Sequence, residues 1–210
     1  MPPKLLLATN NAKKLSEIQG ILEERLGGDL TGQIVNAATF DLPEPVEDGA
    51  TFEENALIKA QYYFDKTGIP ALADDSGLIV DLLGNAPGVL SARWSGVHGD
   101  DLGNNRLLLR QLEDVPCRLR GAHFTTCCAL VGLVRAQEHT TTFGEMRGRI
   151  IHEMRGENGF GYDSIFVPDA FEDTELEGKT TAEVTPEMKQ KISHRSQAVS
   201  AMVKHLVELF

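Results

Sequence analysis

Residues 71–80 read Ala71-Leu72-Ala73-Asp74-Asp75-Ser76-Gly77-Leu78-Ile79-Val80, and this stretch limits the fold more than any other. Two acids stand between two apolar runs. The pattern predicts a strand, an acidic turn and a second strand, with the acids at the edge of a core. Two adjacent carboxylates there cost free energy unless cations or hydrogen bonds offset their repulsion. Whatever surrounds this segment must therefore bring positive charge or a metal ion to it.

The rest of the chain reads as an alternation. Lys4 to Thr9 is a short apolar run that enters the polar loop Thr9-Asn10-Asn11. Leu15, Ile18, Ile21, Leu22 and Leu26 follow at helical spacing, and Gly27-Gly28 stops that helix. Ile34 to Phe40 reads as a strand, and Asp41 to Gly49 as an acid- and proline-bearing loop. Thr51 caps a second helix with Glu53 and Glu54 in its first turn and Phe52, Ala56, Ala60, Tyr63 and Phe64 on its apolar stripe. A third helix is predicted over Asp101 to Leu112. His123 to Val134 and Thr140 to Ile151 alternate as a long hairpin. Ile165 to Val167 is a brief strand, Asp169 to Gly178 an exposed acidic stretch, and Thr185-Pro186 a helix start. Ser193 heads a last helix with Ala198, Met202, Leu206 and Leu209 on one face. Neither a linker nor an internal repeat interrupts the order. One domain over residues 1–210 with mixed α/β architecture is expected.

Composition narrows the function. A hydrophobic fraction of 41% with 24% charged residues suits a folded globular chain. The formal net charge of -11 repels duplex nucleic acid, so no nucleic-acid partner is expected. No run approaches the roughly 20 apolar residues of a membrane helix, and Leu5 to Ala8 is too short for a signal-peptide core. Cys117, Cys127 and Cys128 lack metal-binding spacing and read as reduced thiols of a cytoplasmic protein.

Four sets of residues carry chemistry. Thr9-Asn10-Asn11-Ala12-Lys13-Lys14 runs from a strand into a helix N-terminus, where amides and the dipole suit phosphate. It is neither a Walker A loop nor GxGxxG. The acids Glu44, Glu47, Asp48, Glu53, Glu54, Asp74 and Asp75 offer the one or two carboxylates that magnesium takes beside waters and phosphate. In Gly159-Phe160-Gly161-Tyr162-Asp163, glycines permit close backbone approach and an aromatic ring is placed to stack on a base. Ser193-His194-Arg195, with Lys179 upstream, puts cations at a helix start, where the dipole disfavours them unless an anion or carbonyl is bound.

In this order the sets resemble the inosine triphosphate pyrophosphatase family. The resemblance rests on Ala8 through Lys14, Thr51 through Ala56, Ala73 through Leu78, Ala86-Pro87-Gly88 with Ser91-Ala92-Arg93, Gly159 through Asp163, Gly178-Lys179-Thr180 and Ile192 through Arg195. It implies an elongated mixed central sheet flanked by helices, two lobes with a cleft between them, and a homodimer. It implies hydrolysis of ITP, dITP and XTP to the monophosphate and pyrophosphate. By the same resemblance Thr9, Asn10, Asn11, Ala12, Lys13 and Lys14 bind the triphosphate. Glu47 and Asp75 hold Mg2+, with Asp48 and Glu54 as alternatives to Glu47. Asp75 is the catalytic base and Ser76 contacts substrate. Phe160, Gly161, Tyr162, Asp163, Lys179, His194 and Arg195 form the nucleoside pocket.

The mechanism so implied has Asp75 activate water for attack on the α-phosphorus while Lys14 stabilises the departing pyrophosphate. Arg195, or amides near His194, would read the carbonyl at purine position 6, each contact worth about 1–3 kcal/mol. Two other readings remain. One is a Maf-type pyrophosphatase for pyrimidine or modified nucleotides; the other is a nucleotide-binding sensor without turnover.

Overall fold

The structure, a computed structural model, describes residues 2–27, 30–133 and 138–210. Its strands are β1 (Leu5–Leu7), β2 (Ile34–Asn36), β3 (Ala71–Val80), β4 (Gly121–Val131), β5 (His139–Ile150) and β6 (Phe166–Pro168). They form one six-stranded sheet in the order β2-β1-β3-β4-β5-β6. β1 pairs in parallel with β2 and β3, whereas β5 and β6 are antiparallel, so the sheet is mixed. The α-helices are α1 (Ala12–Leu26), α2 (Phe52–Thr67), α3 (Asp101–Gln111), α4 (Pro186–Ile192) and α5 (His194–Leu206). Among the described residues no helix is long and apolar enough to cross a membrane.

Local signals set the helix ends. The Asn11 side chain accepts from the amides of Lys13 and Lys14 and starts α1. Thr51 and Glu54 form a reciprocal capping box at α2, and Gly68, with φ 69°, closes that helix. Thr185 caps α4, and Pro186 takes its first position, where a missing N–H costs nothing. The expected stop at Gly28 and the hairpin end at Val134 lie outside the described residues.

The chain divides into two compact units. The first comprises Met1–Asp75, Thr126–Gly144 and Arg195–Phe210; the second comprises Ser76–Thr125 and Glu145–His194. In the first unit the two-residue period of the strands sorts the core into two clusters. Leu5, Leu7, Leu72, Cys128 and Leu130 pack with Ile18, Ile21 and Leu22 of α1 and with Ala198, Val199, Met202 and Leu206 of α5. Leu6, Ala8, Ala71, Ala73, Cys127, Ala129 and Val131 pack with Ala56, Ala60 and Tyr63 of α2. Cys127 and Cys128 thus belong to opposite clusters, and all three cysteines are free.

The second unit has its own core of Leu78, Val80, Leu108, Leu112, Phe124, Met146, Ile150, Ile165 and Phe166. Arg120 is fully buried there. Its guanidinium donates to the carbonyls of Leu112, Ile150 and Ile151, replacing hydration with backbone acceptors.

Three sequence expectations need correction. β3 is a single strand through Asp74 and Asp75, with no turn at the acids. β2 stops at Asn36, and Ala37–Phe40 is a 3-10 turn ended by Asp41 in the left-handed region. Ser193 closes α4 with extended backbone as much as it precedes α5.

Candidate active site

The unbroken β3 decides what the adjacent acids do. Successive strand side chains point to opposite faces. Asp74 follows Leu72 to the side of α1 and α5, and Asp75 follows Ala73 to the side of α2. Their partners confirm this division.

Asp74 is 2% exposed. Its Oδ2 lies 3.2 Å from Lys14 Nζ of α1 and 3.1 Å from Arg195 Nη2 of α5. Arg195 Nε donates to the same oxygen, and Arg195 Nη1 pairs with Glu17 of α1. Burial works against the Asp74 charge, but Lys14 and Arg195 outweigh it and hold the carboxyl well below its ordinary value. Asp74 and Glu17 in turn outweigh burial for Arg195 and keep it charged.

Asp75, 8% exposed, faces α2. Lys59 Nζ stands 2.8 Å from Asp75 Oδ1 and 2.8 Å from Glu47 Oε2, so two carboxylates converge on one cationic point. Burial pushes the Asp75 carboxyl above its ordinary value, and Lys59 offsets only part of that. For the more open Glu47, burial acts the same way but Lys59 prevails, and its carboxyl is lowered. Lys59 itself keeps its proton, because Asp75 and Glu47 overcome the cost of its burial.

Asn55, one turn before Lys59 on α2, ties this acidic loop down. Its Oδ1 accepts from Gly49 N at 2.9 Å, and its Nδ2 points at Asp75 Oδ2 at 3.5 Å. Glu54 Oε2 accepts from the amides of Ala50 and Thr51. The capping role occupies Glu54, and Asp48 is exposed, so of the three candidate ligands Glu47 is the one that shares a cation with Asp75.

The donor chemistry fits magnesium. Two hard carboxylates around one cation position match an ion that takes one or two protein carboxylates and completes its shell with water and phosphate.

The polar loop before α1 is largely exposed. Asn10 Nδ2 donates to Glu44 Oε1 at 2.9 Å, and Thr9 Oγ1 accepts from Asn11 N at 3.2 Å. Asn11 acts as acceptor for two amides that the sequence offered to phosphate. Ala12 and Lys13 are exposed at the helix start, and Lys14 is turned toward Asp74.

The second unit holds the other set. Asp163 is buried and accepts from Lys189 Nζ at 2.7 Å, Thr181 Oγ1 at 2.8 Å and Phe160 N at 2.9 Å. Gly159 is required here, since a Cβ on it would lie 2.0 Å from Asp163 Oδ2. Lys189 Nζ also sits 4.9 Å from the Phe160 ring centroid, a cation–π distance. Tyr162 is buried and donates to Ser91 O at 2.8 Å. His194 is buried and stacks on Phe124 with centroids 4.9 Å apart and planes 12° from parallel. Ser76 is half-buried.

Lys179, placed in this set by the sequence, is exposed, and among the described residues no side-chain bond ties it to Phe160–Asp163. The lysine that reaches Asp163 and the Phe160 ring is Lys189, which the sequence reading did not single out, just as it did not single out Lys59 and Asn55 beside Asp75. A lysine inside a helix reads as solvated. The available signal for Lys59 was its place between Ala56 and Ala60, on the buried face of α2.

Comparisons with known proteins give the family. The Ham1 family model matches residues 5–205. A dITP/XTP pyrophosphatase of Leifsonia xyli is 50% identical, over 95% of this chain and 94% of the relative. One from Bifidobacterium longum is 46% identical, over 95% and 96%. The solved structure of a HAM1 protein from Coxiella burnetii superposes with TM-score 0.83 at 37% identity, covering 98% of this chain and 99% of that one. A nucleoside-triphosphatase / dITP/XTP pyrophosphatase from Mycobacterium abscessus gives 0.72 at 46% identity, over 95% and 98%. With matches over nearly its whole length, the chain belongs to the Ham1 family.

Proposed function

We propose that this protein hydrolyses deaminated purine nucleoside triphosphates, dITP, ITP and XTP, to the monophosphate and pyrophosphate. The observation that carries the chemistry is the convergence of Glu47 and Asp75 on one cation position, with Lys59 at its centre. The names of the relatives support the substrate class.

Glu47 and Asp75 would hold a magnesium ion, which supplies Lewis acidity toward phosphate oxygens when bound. Asp75 takes the proton of the attacking water. The water oxygen bonds to the α-phosphorus, and the bond from that phosphorus to the bridging oxygen breaks. The electron pair leaves with pyrophosphate. Lys14 and Lys59 carry the positive charge that meets the phosphates, and the positive end of α1 adds to it. Arg195 acts through Asp74 and so fixes the direction of Lys14, which makes it a positioning residue. In the second unit Phe160, Tyr162, His194 and Lys189 handle the base. The protein is a homodimer in this reading.

The test is pyrophosphate release from ITP, dITP, XTP, GTP, ATP and dUTP, with magnesium and with EDTA. Fast metal-dependent release from ITP and XTP with little from ATP is the expected result. Preference for dUTP would move the assignment to a Maf-type enzyme. Binding of ITP without release would make the chain a sensor.

A further inference from the structure

We infer that Asp101 and Asn105 of α3 are specificity-positioning residues that set the Phe160–Tyr162 loop for base binding. The inference rests on the base-side reading of that loop.

Gly161 has φ 60° and lies between the two aromatic residues of the loop. Nothing lies within 4 Å of where its Cβ would be, so its α-carbon faces open space. A residue without a side chain cannot be placed by packing. Its position depends on its peptide groups, and α3 holds both. Gly161 N donates to Asp101 Oδ2 at 2.8 Å, and Asn105 Nδ2 donates to Gly161 O at 2.7 Å. Asp101 and Asn105 are four residues apart, on one face of the helix.

The helix that supplies them is itself well fixed. Asp100 caps it through Gly103 N, and Asn104 Oδ1 accepts from Ser95 N at 2.7 Å. Leu108 and Leu112 anchor it in the core of the second unit. Asn105 is 3% exposed, so its Nδ2 bond to Gly161 O is shielded from solvent, while its Oδ1 is buried without a hydrogen-bond partner among the described residues. Burial raises the Tyr162 phenol, and the Asp101 charge adds to it. The loop is thereby gripped at Gly161 by α3, at Tyr162 by Ser91, and at Phe160 through Asp163. Among the described residues, no hydrogen bond of Asp101 or Asn105 reaches Lys14, Glu47, Lys59, Asp74 or Asp75.

The experiment measures kcat and KM for ITP, together with the inhibition constant of inorganic tripolyphosphate, which has no base. The proteins are the parent, Asn105→Ala, Asp101→Ala, Asp101→Asn and Phe160→Ala. Loss of either anchor is expected to raise the ITP KM about tenfold with kcat little changed, the signature of weakened uniform binding. Tripolyphosphate inhibition should stay at the parent level. Asp101→Asn, whose amide oxygen still accepts from Gly161 N, should recover most of the loss. An unchanged ITP KM in both alanine variants, or a parallel loss of tripolyphosphate binding, would overturn the inference. If Asn105→Ala does not fold, Asp101→Ala at the half-exposed helix start decides alone. Phe160→Ala separates the two levels. If it leaves the ITP KM unchanged, the base-side reading fails. If it raises KM while the α3 variants do not, only the role of α3 fails.

Discussion

Replacing Arg195 with methionine separates two roles for the residue. If Arg195 reads the purine carbonyl, the variant stays folded and loses selectivity. If it holds Asp74, the variant loses stability and all nucleotides suffer alike. The structure favours the second outcome, because Nε, Nη1 and Nη2 are engaged by Asp74 and Glu17. Both Arg195 and Asp74 have side chains 2% exposed or less, so the pair is fully desolvated. Removing one partner of a buried pair costs about 3–5 kcal/mol, because the other charge is left without compensation. In a chain of this size that lowers Tm by roughly 6–20 °C. Lys14 remains on Asp74 and keeps the loss toward the lower end. The pH dependence has a definite sign. A depressed carboxyl stabilises above the unfolded value of about 3.9, and that stability is lost as pH falls through its folded value. Without Arg195 the folded carboxyl is less depressed, so the stability gap between parent and variant shrinks on acidification. Thermal denaturation at neutral and acid pH, with turnover on ITP, XTP and ATP, reads both effects. An unchanged Tm with a narrowed ITP-to-ATP ratio would refute the reasoning.

Other outcomes follow from the same contacts. Asp75→Asn keeps the fold but lowers turnover about 10²–10⁴-fold, the range of a general base, and an unchanged kcat would remove Asp75 from the mechanism. Lys189→Met leaves Asp163 buried without its cation and costs about 3–5 kcal/mol, and adding Asp163→Asn should restore part of that in urea unfolding. If the double variant is as unstable as the sum of the singles, the pair does not act as a unit. Burial raises the Cys127 thiol to about 12 and Cys128 well above its ordinary value. Raised thiols stabilise below the unfolded value of about 8.5 and lose that contribution as pH rises. Stability should fall by about 1.4 kcal/mol per pH unit per thiol above it. Cys127→Ala should make the decline less steep in urea midpoints taken between pH 8 and 10, and an identical slope would discount the thiol.

Much of the fold is readable from local chemistry. The Thr51 cap and the Thr185-Pro186 start each specify a helix end, and each stands where expected, whereas the Asn11 cap and the reciprocal bond from Glu54 emerge only in the folded chain. Strand order was not readable, because no residue of β1 states that β3 rather than β4 lies beside it. The acids of the site were legible as residue types, whereas their cationic partners were not. Lys59 and Lys189 owe their roles to burial that only the assembled units create. Asp101 and Asn105 gave no signal for the same reason, since the glycine they hold lies far along the chain.

The acid pair shows how adjacency in sequence misleads. Asp74-Asp75 invites a picture of two carboxylates sharing one ion. A turn would allow that, but an extended strand sends neighbouring side chains to opposite faces. Asp74 then meets Lys14 and Arg195, where two cations satisfy it and push its carboxyl down. Asp75 meets a single lysine that it shares with Glu47, and burial leaves its carboxyl raised. One environment yields a permanent anion that fixes the direction of Lys14 and joins α1 to α5. The other leaves a raised carboxyl that shares its lysine with Glu47. Environments that drive neighbouring titratable groups apart are how acid and base roles are assigned. Here the division follows from the strand period and from which helix covers each face. Inserting one residue between Leu72 and Asp74 would exchange the two environments, and turnover should vanish even though both carboxylates remain.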